Sequence, residues 1–278
     1  YAILGTARVE PIVRTIRNAM EAAGIQVESS KGECNHGQHE INFAYRDALT
    51  TADNHVLYKE AAKEIAAAAG QSLTFMAKFN EREGNSCHIH LSLRNAAGAP
   101  VFQDADGKSL SKFAQQFIAG LLRHAAALTL FFAPNINSYK RYTTGSFAPT
   151  ALGWGVDNRT CALRLLGHGS ALRIENRLPG GDVNPYLALA AMLAAGMDGV
   201  EQDLPPVPPQ TGNAYAADLP RVPATLDEAA ELFSQSTFTR ATFGAQVVAH
   251  YTNMARTELN AFRASVTDWE KFRGFERM

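Results

Sequence analysis

The chain has 278 residues and a formal net charge of −1, with 26 Lys and Arg against 27 Asp and Glu. This near balance excludes a surface built for nucleic acid or for an anionic membrane. A hydrophobic content of 46% allows a substantial core and excludes wholesale disorder. The three cysteines lack a C-x-x-C pair, which excludes a disulfide framework and a structural zinc site and favours a reducing, cytoplasmic environment.

Helical periodicity and stop residues predict three helices in the first half of the chain, over residues 11–23, 51–69 and 110–132. Pro11 suits a first helical turn, and Gly24 and Gly70 suit the ends of the first two helices. Strand-like patterns occupy the polar segment 28–45 and two shorter segments, 73–79 and 87–93.

The second half begins with a loop over 135–149, and strands are predicted over 160–165 and 172–178. The pair Asn184-Pro185 predicts a helix that runs to residue 201. After a proline-rich loop, a capping box at Thr225 predicts another helix, and a last one is expected over 240–263. Since strands and helices mix without a βαβ rhythm, we predict an α+β fold.

Three clusters could carry chemistry. In a strand, His88, His90 and Ser92 would share one face, as a metal or phosphate site or as a plain solvated face. The acidic residues between 28 and 40, taken alone, are typical of ordinary surface charge. The third cluster is Arg173-Ile174-Glu175-Asn176-Arg177, whose charged residues project together and form either a structural ion network or an anion site beside a metal ligand.

Together, several motifs resemble the glutamine synthetase family along the whole chain. They are G-I-x-V-E, G-E and G-Q-H-E-I within residues 24–41, H-x-H-x-S-L at 88–93, N-S-Y-K-R at 137–141, D-N-R-T at 157–160, R-I-E-x-R at 173–177 and N-P-Y-L-A-L-A-A-M-L-A-A-G at 184–196. The resemblance implies the family's catalytic domain, in which a curved and mostly antiparallel sheet lines the active site and helices surround it.

The resemblance also implies two divalent sites for Mg²⁺ or Mn²⁺, with hard oxygen ligands and one imidazole. Glu33 and Glu40 would ligate the metal that faces glutamate, and His88 and Glu175 the metal that faces the ATP phosphates. The residues that would bind ATP are Glu28, His90, Ser92 and Arg164. Those that would bind glutamate are Gly84, Arg141, Arg159 and Arg177, of which Arg159 and Arg177 are also the expected catalytic residues.

The implied reaction has two steps. The γ-carboxylate of L-glutamate attacks the ATP γ-phosphate to give γ-glutamyl phosphate, and an amine then displaces phosphate. Metal and arginines would stabilise the charge that gathers on the phosphoryl oxygens. In the family, each metal takes one further carboxylate from an E-x-E strand, and a β-grasp domain completes the site. Both are expected to precede residue 1, so we expect the chain to be a piece of a longer protein, with residues 1–278 an incomplete catalytic domain.

Phe147 stands where ammonia-using members carry a glutamate that accepts a proton from ammonium. A phenyl ring cannot accept a proton, but it can line a pocket for an alkyl chain. The sequence therefore resembles the γ-glutamylpolyamine and γ-glutamylethanolamide synthetase branch, and we predict an organic primary amine as acceptor. Ordinary glutamine synthetase, using ammonia, is the first alternative. A non-catalytic structural or nitrogen-sensing relative is the second.

Two further expectations rest on the family alone. Its members form double hexameric rings, so a homo-oligomer of twelve subunits is implied. Tyr215 lies near the position where some members carry an adenylylated tyrosine, but the surrounding residues match poorly, and we interpret it as a loop tyrosine.

Overall fold

A computed structural model describes residues 1–104, 107, 109–275 and 277. Within that part, the α-helices are α1 (Ile3–Ala22), α2 (Ala48–Ala68), α3 (Lys112–Phe132), α4 (Pro185–Glu201), α5 (Leu226–Gln235), α6 (Thr237–Phe243), α7 (Ala245–Ala264) and α8 (Asp268–Gly274). The strands are β1 (Val27–Gly32), β2 (His39–Phe43), β3 (Ile89–Leu91), β4 (Trp154–Val156), β5 (Leu163–Leu166) and β6 (Arg173–Asn176). Short 3₁₀ helices occupy Ser138–Arg141, Gly169–Ala171 and Ala214–Ala216.

The strands form two sheets. A four-stranded sheet has the order β3-β6-β5-β4, in which only the β4–β5 pair is parallel. β1 and β2 form a separate antiparallel pair, with Lys31 opposite Glu40. The predicted α+β class with a mostly antiparallel sheet is therefore confirmed.

Helices α3 and α4 form the centre of the main core. Phe117 and Met192 are fully buried there, and α5, packed against α3, and α7, packed against α5, add residues to the same core. The two central helices approach so closely that a Cβ built on Gly120 would lie 2.1 Å from the carbonyl oxygen of Ala195. Glycine at this crossing removes the atom that would hold the helices apart. A second, smaller core joins α1, α2 and β1 around Ile16 and Met20.

Some predicted elements are confirmed because their signals are local. Asn184 Oδ1 accepts from Tyr186 N at 3.0 Å and starts α4, and Thr225 Oγ1 accepts from Glu228 N at 3.1 Å and starts α5. These caps satisfy backbone donors that the first helical turn leaves unpaired. None of the helices within the described ranges combines the length and the hydropathy needed to cross a membrane.

Other predictions are wrong. The first helix begins at Ile3 and carries Pro11 inside it, where the proline removes one backbone hydrogen bond without ending the helix. Segment 73–79 is not a strand: Lys78 bonds through both N and O to the side chain of Asn137, which replaces a neighbouring strand. The last predicted helix is split into α6 and α7 at Gly244, whose φ of 84° lies in the left-handed region.

Candidate functional site

The first cluster is centred on Glu175 in the middle of β6. Antiparallel pairing places Glu175 opposite His90 on β3 and opposite Arg164 on β5, so residues far apart in the chain meet across the sheet. The residue is only 3% exposed. A buried carboxylate is unfavourable unless ionic or hydrogen-bonding partners compensate for the lost water.

Two guanidinium groups supply that compensation. Arg177 Nη1 donates to Glu175 Oε1 at 2.8 Å, and Arg164 Nη1 donates to Oε2 at 3.1 Å. Arg164 also donates to Asp157. Burial alone would raise the pKa of Glu175, but His88 and Arg177 outweigh it and lower the pKa well below its usual range. Glu175 is therefore ionised at neutral pH. The predicted network around it is corrected in one member, because Arg173 donates to His90 Nδ1 and Ala171 O, and Arg164 is the second guanidinium on Glu175.

His88 lies on the same carboxylate, with Nδ1 3.2 Å from Glu175 Oε1. Burial lowers the pKa of His88 to about 4, so its imidazole is neutral and can offer a lone pair. Its Nε2 is buried without a hydrogen-bond partner. Adjacent ligands of an octahedral Mg²⁺ ion, at about 2.1 Å each, are about 3 Å apart, so His88 Nδ1 and Glu175 Oε1 fit two neighbouring ligands of one ion in the tautomer in which Nδ1 carries the lone pair.

His90 lies on the outer side of the same group. Its Nε2 is 3.8 Å from Glu175 Oε1, and its Nδ1 accepts from Arg173 Nε at 3.1 Å. Burial lowers the pKa of His90, which leaves a neutral ring among the cationic arginines. Ionic and neutral donors thus surround one carboxylate, an arrangement suited to a cation and to anionic oxygens together.

The second cluster lies on the β1–β2 pair. Lys31 Nζ is 3.0 Å from Glu33 Oε1 and 3.5 Å from Glu40 Oε2. Burial raises the pKa of Glu40, and the adjacent Glu33 carboxylate raises the pKa of Glu40 further. Burial alone would also raise the pKa of Glu33, but hydrogen bonds from Glu40 and Lys31 outweigh burial and lower it. Two carboxylates share a cation here, so their donor set fits a hard divalent ion.

The loop that contains Gly84 ties the second cluster to Arg141. Gln38, in the β1–β2 turn, donates from Nε2 to Gly84 O at 2.9 Å. A Cβ built on Gly84 would lie 2.5 Å from the backbone oxygen of Ala77 and 2.7 Å from Cγ of Arg141, so only glycine allows this approach. Arg141 is 1% exposed, donates to Ser86 Oγ at 3.0 Å and keeps a buried Nε without a partner.

Phe147 has a φ of 62°, a backbone conformation unusual for a large side chain, and the residue is 53% exposed. Its carbonyl oxygen accepts from Arg177 Nη2 at 3.1 Å. Because the same guanidinium binds Glu175, Arg177 links the buried carboxylate to the segment that carries Phe147.

The predicted site residues are not all joined. His88, His90, Glu175, Arg164 and Arg177 form one cluster and Glu33 and Glu40 another, while Gly84 lies against Arg141. No hydrogen bond or ion pair among the described residues links Glu28, Ser92 or Arg159 to Glu175, and all three are exposed. Nor does the described part of the chain contain three or more His, Cys, Asp or Glu side chains in a metal-holding group.

Sequence reasoning missed two residues of these clusters. Lys31 lies in β1 and stands two positions before Glu33, which directly follows the strand, so the alternation of an extended chain predicts that both lie on one face and could have identified Lys31. Asp157, which binds Arg164, has a φ of 48° and follows β4, a strand that was not predicted. Its partner became apparent only from the pairing of β4 with β5.

The fold and these clusters define an α+β domain in which a buried sheet carries paired acidic, imidazole and guanidinium groups. The model of the glutamine synthetase catalytic domain matches residues 1–273, and the chain belongs to this family.

Relatives with curated descriptions include the γ-glutamylethanolamide synthetase of Streptomyces coelicolor, 62% identical over the whole chain, which covers 60% of that protein. A glutamate–isopropylamine ligase of a Pseudomonas species is 41% identical over 97% of the chain and 60% of its own length. A solved structure described as a GmaS–ADP complex superposes with a TM-score of 0.90 at 33% identity, covering 98% of this chain and 65% of that one. The chain thus spans about 60% of the length of these curated relatives.

Proposed function

We propose that the protein containing this chain is an ATP- and metal-dependent ligase that joins the γ-carboxylate of L-glutamate to an organic primary amine. The observation that carries the proposal is buried Glu175, held between His88 at 3.2 Å and Arg177 at 2.8 Å. A cation ligand beside fixed guanidinium donors suits phosphoryl transfer, in which positioning and charge stabilisation provide most of the catalysis.

The metal ions, Mg²⁺ or Mn²⁺, would supply Lewis acidity and neutralise phosphate charge when bound. His88 and Glu175 would hold one ion, and Glu33 and Glu40 the other. Each group would supply two ligands, and on family grounds a further carboxylate would complete the coordination of each ion.

The arginines would act on the substrates. Arg164 is anchored by Asp157 and Glu175, so its remaining donors can face phosphate oxygens without reorganisation. Arg159, exposed on the neighbouring loop, would meet the transferred phosphoryl group, and Arg141 and Arg177 would bind glutamate carboxylates. Glu28, His90 and Ser92 would contact ATP. The solved relative that contains ADP supports a nucleotide in this fold.

The ring of Phe147, a half-exposed residue, would line the acceptor pocket. An apolar ring favours an alkyl chain over ammonium, which agrees with the names of two relatives, a γ-glutamylethanolamide synthetase and a glutamate–isopropylamine ligase. We place the whole protein in the cytoplasm, as a dodecamer of two hexameric rings, on family grounds.

The test is phosphate release by the full-length protein with L-glutamate, ATP and Mg²⁺ against ethanolamine, putrescine, isopropylamine and ammonium. We expect kcat/KM for at least one organic amine to exceed that for ammonium by roughly tenfold or more, about 1.4 kcal/mol. Preference for ammonium would instead identify an ordinary glutamine synthetase. Absence of phosphate release with every acceptor, together with no calorimetric binding of ATP and Mg²⁺, would favour a non-catalytic relative.

A further inference from the structure

Tyr215 belongs to the 3₁₀ helix Ala214–Ala216 and plays no part in the chemistry proposed above. Its Oη donates to the carbonyl oxygen of Ala148 at 3.0 Å. The preceding carbonyl, that of Phe147, accepts from Arg177 Nη2 at 3.1 Å. Two consecutive carbonyls are therefore each held by a side chain from a different part of the fold.

These two bonds tie the segment 143–148 to distant parts of the fold, whereas its other hydrogen bonds among the described residues are local, from Thr143 and Ser146 to Arg141 O and Thr143 O. Residues 143–145 and Phe147 are exposed, whereas Ala148 is buried. The left-handed φ of Phe147, 62°, is disfavoured for a side chain with a bulky Cβ substituent. Such a conformation persists only where the surroundings hold it. Arg177 binds the carbonyl oxygen of Phe147 itself, and Tyr215 binds that of the next residue, Ala148.

The 3₁₀ helix is itself fixed to the loop that carries Arg159. Ala214 N donates to Thr160 Oγ1 at 2.9 Å, and Asn158 Nδ2 donates to Gly212 O at 2.8 Å. On the other side, Leu152 N donates to Pro220 O at 2.7 Å, just beyond the Phe147 segment. Tyr215 thus stands between the residues on either side of Arg159 and the segment that presents Phe147.

We propose that Tyr215 is a positioning residue that sets the acceptor side of the site. Its hydroxyl holds Ala148 O, which keeps Phe147 in its left-handed conformation and fixes where the ring stands relative to Arg177. This inference rests on the proposed function for its kinetic consequence, but its structural part stands on the hydrogen bonds alone.

The test uses Tyr215→Phe in the full-length protein, which removes the hydroxyl and keeps the ring. Tyr186→Phe is the matched control. The Oη of Tyr186 donates to Asp53 Oδ1 at 2.5 Å, so this substitution also removes one hydroxyl hydrogen bond, but not one made to the 143–148 segment. Hydrogen–deuterium exchange should rise at least about threefold in peptides covering 143–148 for Tyr215→Phe and stay unchanged in α3. Unchanged exchange over 143–148 would overturn the positioning role.

Kinetics supply the second readout. With ethanolamine as acceptor, KM for the amine should rise roughly three- to tenfold, the loss expected for one hydrogen bond, while KM for ATP stays within about twofold. The ratio of kcat/KM for ethanolamine to that for ammonium should fall, which a merely structural tyrosine would not produce. Equal losses for both acceptors would overturn the link to the acceptor. If wild-type protein turned over no acceptor, the proposed function would fail, and exchange alone would decide the positioning role.

Discussion

Glu175 provides the sharpest test of how the charges are balanced in the sheet. Its carboxylate is the partner of Arg177, and both side chains are nearly inaccessible, at 4% and 3% exposure. Replacing Glu175 by Gln keeps the volume and one carbonyl acceptor but removes the negative charge. Arg177 would then be a buried cation without an ionic partner.

Removing one member of a buried ion pair costs about 3–5 kcal/mol, because the remaining charge has lost its water without compensation. The glutamine amide still accepts one hydrogen bond, and Arg177 keeps its bond to Phe147 O. We therefore expect the lower end of that range, about 3 kcal/mol. For a domain of this size, this loss corresponds to a fall in Tm of roughly 5–10 °C.

The assay is thermal unfolding of full-length protein in EDTA, at fixed protein concentration and scan rate, so that metal binding does not contribute. Glu231→Gln is the matched control, because its ion pair with Arg256 is exposed, at 55% and 62%. Exposed pairs contribute about 0–1 kcal/mol, and the control should change Tm by less than about 2 °C. Equal shifts in the two variants would refute the assignment of Glu175 as the compensating charge.

Three other substitutions probe separate parts of the molecule. Gly84→Ala places a Cβ 2.7 Å from Cγ of Arg141, so KM for glutamate in full-length protein should rise roughly tenfold or more, with KM for ATP within about twofold. Gly120→Ala places a Cβ 2.1 Å from Ala195 O and forces α3 away from α4. Urea unfolding should show that the free energy of unfolding falls by about 2–3 kcal/mol, although alanine has the higher helix propensity. Burial lowers the pKa of His55 to about 4, whereas an unfolded histidine titrates near ~6.5. The unfolded state binds more protons between these values, so stability should fall as pH drops from about 6.5 to about 4, and His55→Gln should flatten that slope in thermal unfolding.

Each of these has a clear contrary result. An unchanged KM for glutamate in Gly84→Ala would separate the loop from glutamate binding. Gly120→Ala with wild-type or greater stability would mean that the helices can move apart at no cost; Arg123→Ala, at an exposed position on α3, is its control. A pH slope as steep in His55→Gln as in the wild type would assign the titration to another group.

Signals carried by adjacent residues were predictable from the sequence. Asn184 and Pro185 begin α4 because an amide side chain and a fixed φ act within one turn of the backbone. Strand alternation predicted that His88 and His90 share a face, and both contact Glu175. The motifs around these residues, taken in order, identified the family, which the catalytic-domain match confirms.

Local patterns failed where a distant partner decides the conformation. Residues 73–79 look like a strand, but Asn137 takes the bonds of Lys78 that a neighbouring strand would have made. The residues next to Phe147 in the sequence do not predict its left-handed backbone. The side chains that bind the carbonyl oxygens of residues 147 and 148, Arg177 and Tyr215, come later in the chain.

By itself, the sequence determined the capped starts of α4 and α5, the shared face of His88 and His90 and the chemical types available to the site. These depend on interactions within a few residues. Tertiary structure alone decided that Arg164 and Arg177 compensate Glu175, that Lys31 lies between Glu33 and Glu40, and that glycine is required beside Arg141. The physical reason is that ionic compensation and close packing depend on distances in space, and sheet pairing and helix crossing set those distances between residues far apart in the chain.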